Sequence, residues 1–169
     1  KTVRVHNATY LLGTDGLGRD LFIRIVYGAR ISLIVGFFAA FINFVVGVFY
    51  GALSGYIGGR VDDIMMRVVD MVDSIPMTLY VILIMVVVGP GLVSIILALG
   101  LTLWVKMARI VRGQVLTLKQ QEFVKAAIVT GADTKRIILK HLIPNMMGPI
   151  MVNIAMQIPS AIFNEAFLS

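Results

Sequence analysis

Residues 31–59 read ISLIVGFFAAFINFVVGVFYGALSGYIGG, a run of 29 residues without a charged side chain. About 20 mostly apolar residues are enough for a helix to cross the ~30 Å hydrocarbon core of a bilayer. An open strand cannot make that crossing, because its backbone groups would stay unpaired in lipid, whereas a helix pairs them internally. The run therefore predicts a membrane-spanning helix, which we place at residues 31–57.

Two further charge-free runs, 74–105 and 142–164, predict more spans. The first is too long for one helix and is interrupted by Gly89-Pro90-Gly91, a combination that punctuates helices. Residues 1–30 are polar and then amphipathic, which predicts an extracytoplasmic segment with a short helix on the membrane surface; a loop followed by the first turns of the first span is the alternative. The predicted fold class is an all-α, polytopic transmembrane helical bundle, a single domain over residues 1–169 with spans at 31–57, 64–88, 92–111 and 146–168.

The composition supports a membrane protein and argues against several other classes. Hydrophobic residues make up 59% of the chain and charged residues 14%, against roughly 45–50% and 25% in soluble domains. The chain has no Cys, which excludes disulfide scaffolds and thiol nucleophiles. His6 and His141 have no metal-ligand spacing, and no phosphate-binding glycine loop is present. We therefore expect no enzyme, no catalytic residue, no metal and no cofactor bound by this chain.

The positive charges predict an orientation in the membrane. Residues 104–145 contain eight Lys and Arg, residues 60–67 contain two, and residues 1–30 contain five. Cytoplasmic loops carry the excess of Lys and Arg in membrane proteins, so we expect residues 104–145 in the cytoplasm and the Gly89–Gly91 turn outside. The net charge of +6 is then explained by basic loops, and nucleic-acid binding is not expected.

Residues that are small or polar recur inside the predicted spans. Position 39 and every fourth residue up to 59 form a stripe of small side chains, which favours close packing against another span or subunit; a flexible gating helix is the alternative. Asp70 and Asp73 favour a structural ion pair with Arg67 over an ion or proton site, whereas Asn153 and Gln157 either line a pathway or bond between helices. The polar residues within spans are Asn43, Asp70, Asp73, Asn153, Gln157, Asn164 and Glu165, and Pro76, Pro149 and Pro159 should kink or end their helices.

The segment between the third and fourth predicted spans, residues 117–145, is long for a connection and contains LKQQEFVKAAIVTGADTKRIILKHLIPN at 118–145. A short helix is predicted over 122–130, with Phe123, Ala126, Ala127 and Thr130 near one face. Gly131 then supplies a stop, and Asp133 can cap a second short helix that ends at Pro144. Two charged short helices joined by a glycine turn suit docking to a soluble partner.

This segment resembles the cytoplasmic coupling loop of ABC-importer permeases, whose pattern is Glu-Ala-Ala, three residues, Gly, nine residues, Ile, one residue and Leu-Pro. Ala126, Ala127, Gly131 and Pro144 match that pattern. Ile143 replaces the Leu, His141 stands at the Ile position, and Lys125 stands where the family has Glu, with Glu122 one turn earlier as a possible carboxylate. The residues assigned to ATPase coupling are Glu122, Lys125, Ala126, Ala127, Gly131, Asp133, His141 and Pro144.

Other blocks of the chain are similar to the dipeptide, oligopeptide and nickel branch of the same family, in particular to its C-type permease. They occur in the same order along nearly the whole chain. The blocks are 12–15, 17–20, 27–33, 55–59, Asp70 with Pro76, 89–91, and Arg109 with 111–115.

The resemblance implies a multi-pass permease in the plasma (inner) membrane of a prokaryote. Permeases of this type have six spans, so this chain would be a fragment that holds spans two to five. A second permease subunit would complete a heterodimeric pore, two cytoplasmic ATPase subunits would bind ATP and Mg, and an extracytoplasmic binding protein would deliver a peptide or related small solute. The alternative is an ion-gradient-driven secondary transporter or channel, which the intramembrane Asp70, Asp73, Asn153 and Gln157 support; a membrane-embedded enzyme lacks the geometry.

Overall fold

The computed structural model describes residues 10–168, so the part of the predicted surface segment that falls on residues 1–9, with His6, lies outside the described residues. The described residues are helical apart from turns and one isolated bridge between Thr14 and Asp20, and they contain no β-strand, which confirms the all-α fold class. The elements are α1 (Leu21–Ile42), a π-helical segment (Asn43–Gly47), α2 (Val48–Ile57), α3 (Gly59–Asp73), α4 (Met77–Val88), α5 (Leu92–Leu118), α6 (Glu122–Val129), α7 (Thr134–Arg136), a second π-helical segment (Ile137–Leu142), α8 (Ile143–Asn145) and α9 (Met147–Leu168).

Two helices are long and apolar enough to cross a membrane, namely Leu21–Ile57 and Leu92–Leu118. Two more crossings are possible if each of two bent helix pairs counts as one, since α3 and α4 meet at 79° and residues 134–145 meet α9 at 64°. We call the end of the bundle at Gly89–Gly91 the turn end, and the end that carries residues 117–145 the loop end.

The beginning of the first helix differs from the sequence-based expectation. The structure has no separate surface helix within residues 10–30; α1 begins at Leu21 and continues through the π-helical segment to Ile57. Asp20 caps this helix by accepting from the backbone N–H of Phe22 at 2.8 Å, and no proline interrupts the following apolar residues, so nothing separates a surface portion from the span. This region is a loop followed by the first turns of the long helix, which was the alternative interpretation of the sequence.

The loop before α1 is organised around Asp15. Its carboxylate accepts from the backbone N–H groups of Leu17 and Arg19, both at 2.9 Å, and pairs with the side chains of Arg19 and Arg24. The hydrogen bond from the Arg19 backbone, supported by the other donors, holds the pKa of Asp15 well below its usual range. The resulting turn sets the direction from which the chain enters α1.

The predicted span at 64–88 is divided into two helices at Ser74–Pro76. Proline disfavours helical conformation in the residue before it and has no N–H to continue the helical hydrogen bonds. Pro76 therefore ends one helix and precedes the next, as the sequence suggested. Pro159 lies within α9.

Helix α5 is the centre of the bundle, with α1, α2, α3, α4 and α9 packed around it, and α1 also packs along α9. A core at the turn end joins Val35 and Ala39 of α1 to Leu99 of α5 and Ala161 of α9. A larger core at the loop end joins α2 and α5 to residues 124–150. Both ends of α5 are thus held by other helices.

The glycines at 47, 51 and 55 of the small-residue stripe pack against α5, as one of the two interpretations of the sequence predicted, whereas a Cβ at Gly59 meets no atom within 4 Å. A Cβ added at Gly51 would lie 2.3 Å from the backbone oxygen of Ala108, and one at Gly47 or Gly55 would lie within 3.0 Å of a backbone oxygen of α5. The backbone of α5 is therefore touched at Gly47, just before α2, and at Gly51 and Gly55 within α2, at a distance that only glycine permits.

A buried ion pair joins α3 to α5 beside this contact. Arg112 donates from Nε and Nη2 to the two carboxylate oxygens of Asp62, each at 2.6 Å, and the hydroxyl of Ser54 donates to the same carboxylate. The Asp62 side chain is only 8% exposed. Next to it, Lys119 Nζ donates to the backbone oxygen of Gly55 at 2.8 Å. These contacts fix α2, α3 and the end of α5 together at the loop end.

We expect Gly51→Ala to destabilise the bundle by about 1–3 kcal/mol, the usual cost of an extra methyl group in a packed core. The matched control is Gly113→Ala, because a Cβ at that helical position meets no atom within 4 Å and should be neutral or stabilising. The measurement is thermal unfolding of the full-length permease in detergent. Equal melting temperatures for the two variants would contradict the close contact between α2 and α5.

We expect Asp62→Ala and Arg112→Ala each to cost about 3–5 kcal/mol, because each leaves a partly buried charge without its partner. The double variant should cost less than the sum of the two, since neither charge then remains. Asp70→Ala serves as the control and should cost at most about 1 kcal/mol, because the Asp70 side chain is 67% exposed. Strict additivity in this cycle, measured by denaturation in detergent, would rule out the coupling.

Candidate functional site

Residues 117–145, which we call the loop segment, form a compact element at the loop end. Helix α6 is followed by Gly131 at φ +82°, and the N–H of Ala132 donates to the carbonyl of Ala127 at 3.0 Å. Asp133 caps α7 by accepting from the N–H of Arg136 at 3.2 Å. The glycine turn and the aspartate cap predicted from the sequence are both present, and together they bring the second π-helical segment against α6.

The inner face of the loop segment belongs to the core of the bundle. Val124, Ile137 and Leu142 are buried in one cluster with α2 and α5. The other members of that cluster are Val48, Ala52, Met107, Val111, Val115, Ile138, Met146 and Ile150. Because well-packed interiors are stiff, a displacement of the loop segment has to move the ends of α2, α5 and α9 with it.

The outer face of the loop segment is exposed and mixes apolar with charged side chains. Phe123 is 40% exposed, Ile128 50% and Val129 86%. A concave surface of about 390 Å³ lies beside them, and its lining includes Phe123, Ala126, Ala127, Thr130, Gly131 and His141. Exposed apolar groups rimmed by charge, here Lys125 and Arg136, are typical of a protein-binding surface.

The structure distributes the sequence-predicted residues of this segment over both faces. Ala127 is buried, whereas Glu122, Lys125 and Ala126 are exposed. His141 is half-buried, and its backbone oxygen accepts from the side chain of Asn145 at 2.6 Å. The concave surface therefore brings together Ala126, Gly131 and His141 from different elements.

The position of Pro144 differs from the expectation that it ends the second short helix. The helical path continues through it, with a π-helical segment over Ile137–Leu142 and then α8, in whose first turn Pro144 lies. A proline in the first turn of a helix costs little, because its missing N–H would have no helical partner there. The chain bends instead at Met146, before α9.

Deep in the bundle, some polar atoms bond between helices and others have no partner among the described residues. The Asn43 side chain, in the first π-helical segment, donates to Oε1 of Gln157 on α9, and both residues are buried. Three buried atoms have no partner among the described residues, namely Oδ1 of Asn43, Nε2 of Gln157 and Oδ1 of Asn153. Gln157 thus bonds between helices, and a pathway role for Asn153 stays a prediction.

Asp70 and Asp73 form ion pairs, although with a different partner from the predicted Arg67. Arg109 of α5 donates to Asp70 at 2.8 Å and to Asp73 at 2.6 Å. The two carboxylates lie one turn apart on α3, so the fork of a single guanidinium from a neighbouring helix reaches both. Sequence reasoning favoured Arg67 because it is near in sequence, and spacing within one helix carries no information on contacts between helices.

Two polar contacts were not predicted. Asp62 and its donor Ser54 were not singled out, and Arg112 entered only as part of a motif. Ser32 was likewise missed, although Glu165 was noted as an intramembrane carboxyl; Ser32 Oγ donates to Glu165 Oε2 at 2.7 Å. One available signal was that a carboxylate close to a span needs a partner. Within residues 10–168, no three His, Cys, Asp or Glu side chains come together in a way that could hold a metal ion.

Comparisons with known proteins agree with this architecture. Residues 32–169 match the family described as binding-protein-dependent transport system inner membrane component. The chain is 56% identical over 163 residues to the dipeptide transport system permease protein DppC of Bacillus subtilis, covering 96% of the chain and 51% of that protein. It is 53% identical over 157 residues to the oligopeptide transport system permease protein OppC of the same organism, covering 93% and 52%.

A third relative, the oligopeptide transport system permease protein OppC of Escherichia coli, is 46% identical over 160 residues, covering 95% of the chain and 53% of that protein. The chain thus spans about half the length of the curated relatives it matches. The family match begins within α1 and extends to α9, including the loop segment and the glycine contact with α5. The chain therefore belongs to the family of binding-protein-dependent transport system inner membrane components.

Proposed function

We propose that this chain is part of the permease subunit of an ATP-driven importer and that it forms half of the translocation pathway for peptides or a related small solute. The observation that carries the proposal is the loop segment, which is buried in the core on its inner face and exposes apolar side chains on its outer face. The names of the relatives, which refer to dipeptide and oligopeptide transport, support peptides as the substrate class.

The partner at the outer face of the loop segment is a cytoplasmic ATPase subunit. Phe123 and Val129 supply apolar area, and Lys125, Arg136 and His141 supply positive charge or donors for an acidic groove. Two such ATPases hold ATP and Mg, a second permease subunit completes the pore, and an extracytoplasmic binding protein delivers the solute. With the loop end in the cytoplasm, as its basic residues favour, the turn end faces the binding protein.

The core contacts of the loop segment suggest how ATPase closure reaches the pathway. Movement of α6 by an ATPase is passed to α5 through Val124 and Val115, which share one buried cluster. The Asp62–Arg112 pair and the glycine contact make α2 and α3 follow α5. The bundle then switches as a rigid body between inward-facing and outward-facing states, biased by a ligand on its partner.

The docking surface is tested by co-purification of the ATPases with the full-length permease pair. Ala126→Arg places a long charged side chain on the concave surface without disturbing the core, because Ala126 is exposed. We expect a loss of at least ten-fold in co-purified ATPase, the effect of about 1.4 kcal/mol at an interface.

The matched control is Gly113→Arg, which adds the same side chain at an exposed helical position where a Cβ meets no atom within 4 Å. This variant should retain the ATPases. If Ala126→Arg also retains them, the outer face of the loop segment is not the ATPase-binding surface.

The energy source is tested by peptide uptake into proteoliposomes that contain the full transporter with its binding protein. We expect uptake to require ATP on the cytoplasmic side and to continue when an ionophore dissipates ion gradients. Asp70 and Asp73, two of the four groups that favoured ion coupling, are paired with Arg109, which supports a structural role for these two. Uptake without ATP that collapses with the ion gradient would replace the ATP-driven proposal with ion coupling.

A further inference from the structure

A cavity of about 710 Å³ opens at the turn end of the bundle, apart from the loop segment. It lies between the middle of α1, the Gly89–Gly91 turn, the start of α5 and the end of α9. Its lining includes Gly28, Ser32, Met85, Pro90, Ile95 and Glu165. A volume of this order is typical of sites that hold small molecules.

The side chains that line the cavity are apolar except for Ser32 and one acidic group. Glu165 is the single charged side chain among the described residues that line this cavity, and the residue is only 7% exposed. Ser32 Oγ holds its Oε2 at 2.7 Å. No Lys, Arg or His nitrogen within residues 10–168 lies close enough to form a salt bridge with it.

A buried carboxylate without a cationic partner is costly, and an ionisable group inside a membrane protein is by default a candidate functional site. An ionised carboxylate only accepts hydrogen bonds, so its preferred ligand is a cation with donors. The described residues bring no further acidic or His side chains beside Glu165 to complete a metal site. An organic ammonium group in an otherwise apolar cavity fits this environment better than a metal ion.

We propose that this cavity is a subsite for the ammonium group of the transported solute, with the Glu165 carboxylate as the acceptor and Ser32 as the residue that positions it. The proposal rests on the proposed function, because a peptide carries an α-ammonium group at neutral pH. The apolar lining leaves the rest of the solute without specific polar contacts. Such a subsite recognises the charged amino terminus, which free peptides share whatever their side chains.

The test uses the full transporter in lipid nanodiscs, with other cysteines removed and Gly28→Cys as the reporter thiol. A Cβ at Gly28 meets no atom within 4 Å, and this position lines the cavity. The thiol is labelled with a trimethylammonium-bearing and a sulfonate-bearing methanethiosulfonate reagent. We expect Glu165→Gln to lower the ratio of cationic to anionic labelling rates by about ten-fold. By Coulomb's law, a carboxylate ~6 Å away in water speeds the cationic reagent about three-fold and slows the anionic reagent about three-fold.

The matched control is Asp20→Asn, the same change of carboxylate to amide at the same end of the bundle. Asp20 lies outside the cavity lining, eight residues before Gly28 or about 12 Å along α1, and Asn also caps a helix well. This control should change the labelling ratio by less than about three-fold, because the charge is twice as far away and salt screens it. The subsite would be overturned if Glu165→Gln left the labelling ratio of the reporter protein unchanged. It would also be overturned if Glu165→Gln and Asp20→Asn lowered that ratio equally.

A second measurement tests the ammonium group itself, in the absence of the binding protein. Millimolar dialanine should slow cationic labelling of the Gly28→Cys thiol at least two-fold, whereas N-acetyl-dialanine should not. Equal protection, or none, would overturn the assignment to an ammonium ligand.

Peptide uptake by the unsubstituted transporter separates this proposal from the proposed function. If that transporter takes up no peptide, the proposed function fails whatever the labelling shows. If it takes up peptide while the labelling ratio ignores Glu165, the subsite alone fails.

Discussion

The contact between the backbones of α2 and α5 is the constraint on which the rest of the bundle depends. Lipid offers no hydrophobic driving force between helices, so close packing and a few polar contacts have to hold them together. The three glycines at 47, 51 and 55 allow that packing over several turns. Once α2 lies this close, Ser54 can reach Asp62, and Lys119 can reach the backbone oxygen of Gly55. The Asp62–Arg112 pair then joins α3 to α5 at the same end of the bundle.

The polar contacts at the loop end restrict how the helices can move there. The buried cluster that contains Val115 and Val124 is continuous from the spans into the loop segment, and the ion pair beside it resists sliding of α3 along α5. The other end is held by a smaller core around Leu99 and Ala161 and surrounds a cavity. The loop end thus has the larger continuous core, and the turn end encloses open space.

Much of the fold followed from patterns within single segments of the sequence. Charge-free runs indicated helices that span a membrane, the four-residue spacing of small residues indicated a packing face, and Gly131 with Asp133 indicated the turn and the cap. Each of these signals is local, because it depends on residues within a few turns of one another. Family resemblance through Ala126, Ala127 and Gly131 added the identity of the loop segment.

Contacts between distant segments could not be predicted in the same way. Asp70 pairs with Arg109 rather than with the nearby Arg67, and Ser32 meets Glu165 across 133 residues of sequence. Such pairs depend on which faces two helices present to each other, and the first π-helical segment alters those faces without an obvious sequence signal. The continuity of α1 into the first span was misread for a related reason, since an amphipathic start does not by itself end a helix.

That π-helical segment, Asn43–Gly47, limits how the chain can change in length. Each residue of an α-helix turns the chain by about 100°, so the extra residue of a π-turn offsets the faces before and after it by that angle. Before it, Gly36 and Ala39 face α9 and the turn-end core; after it, Gly51 faces α5. Losing one residue here would restore a regular helix and aim one of these faces at lipid. Evolution can therefore exchange side chains along this helix far more freely than it can insert or delete a single codon.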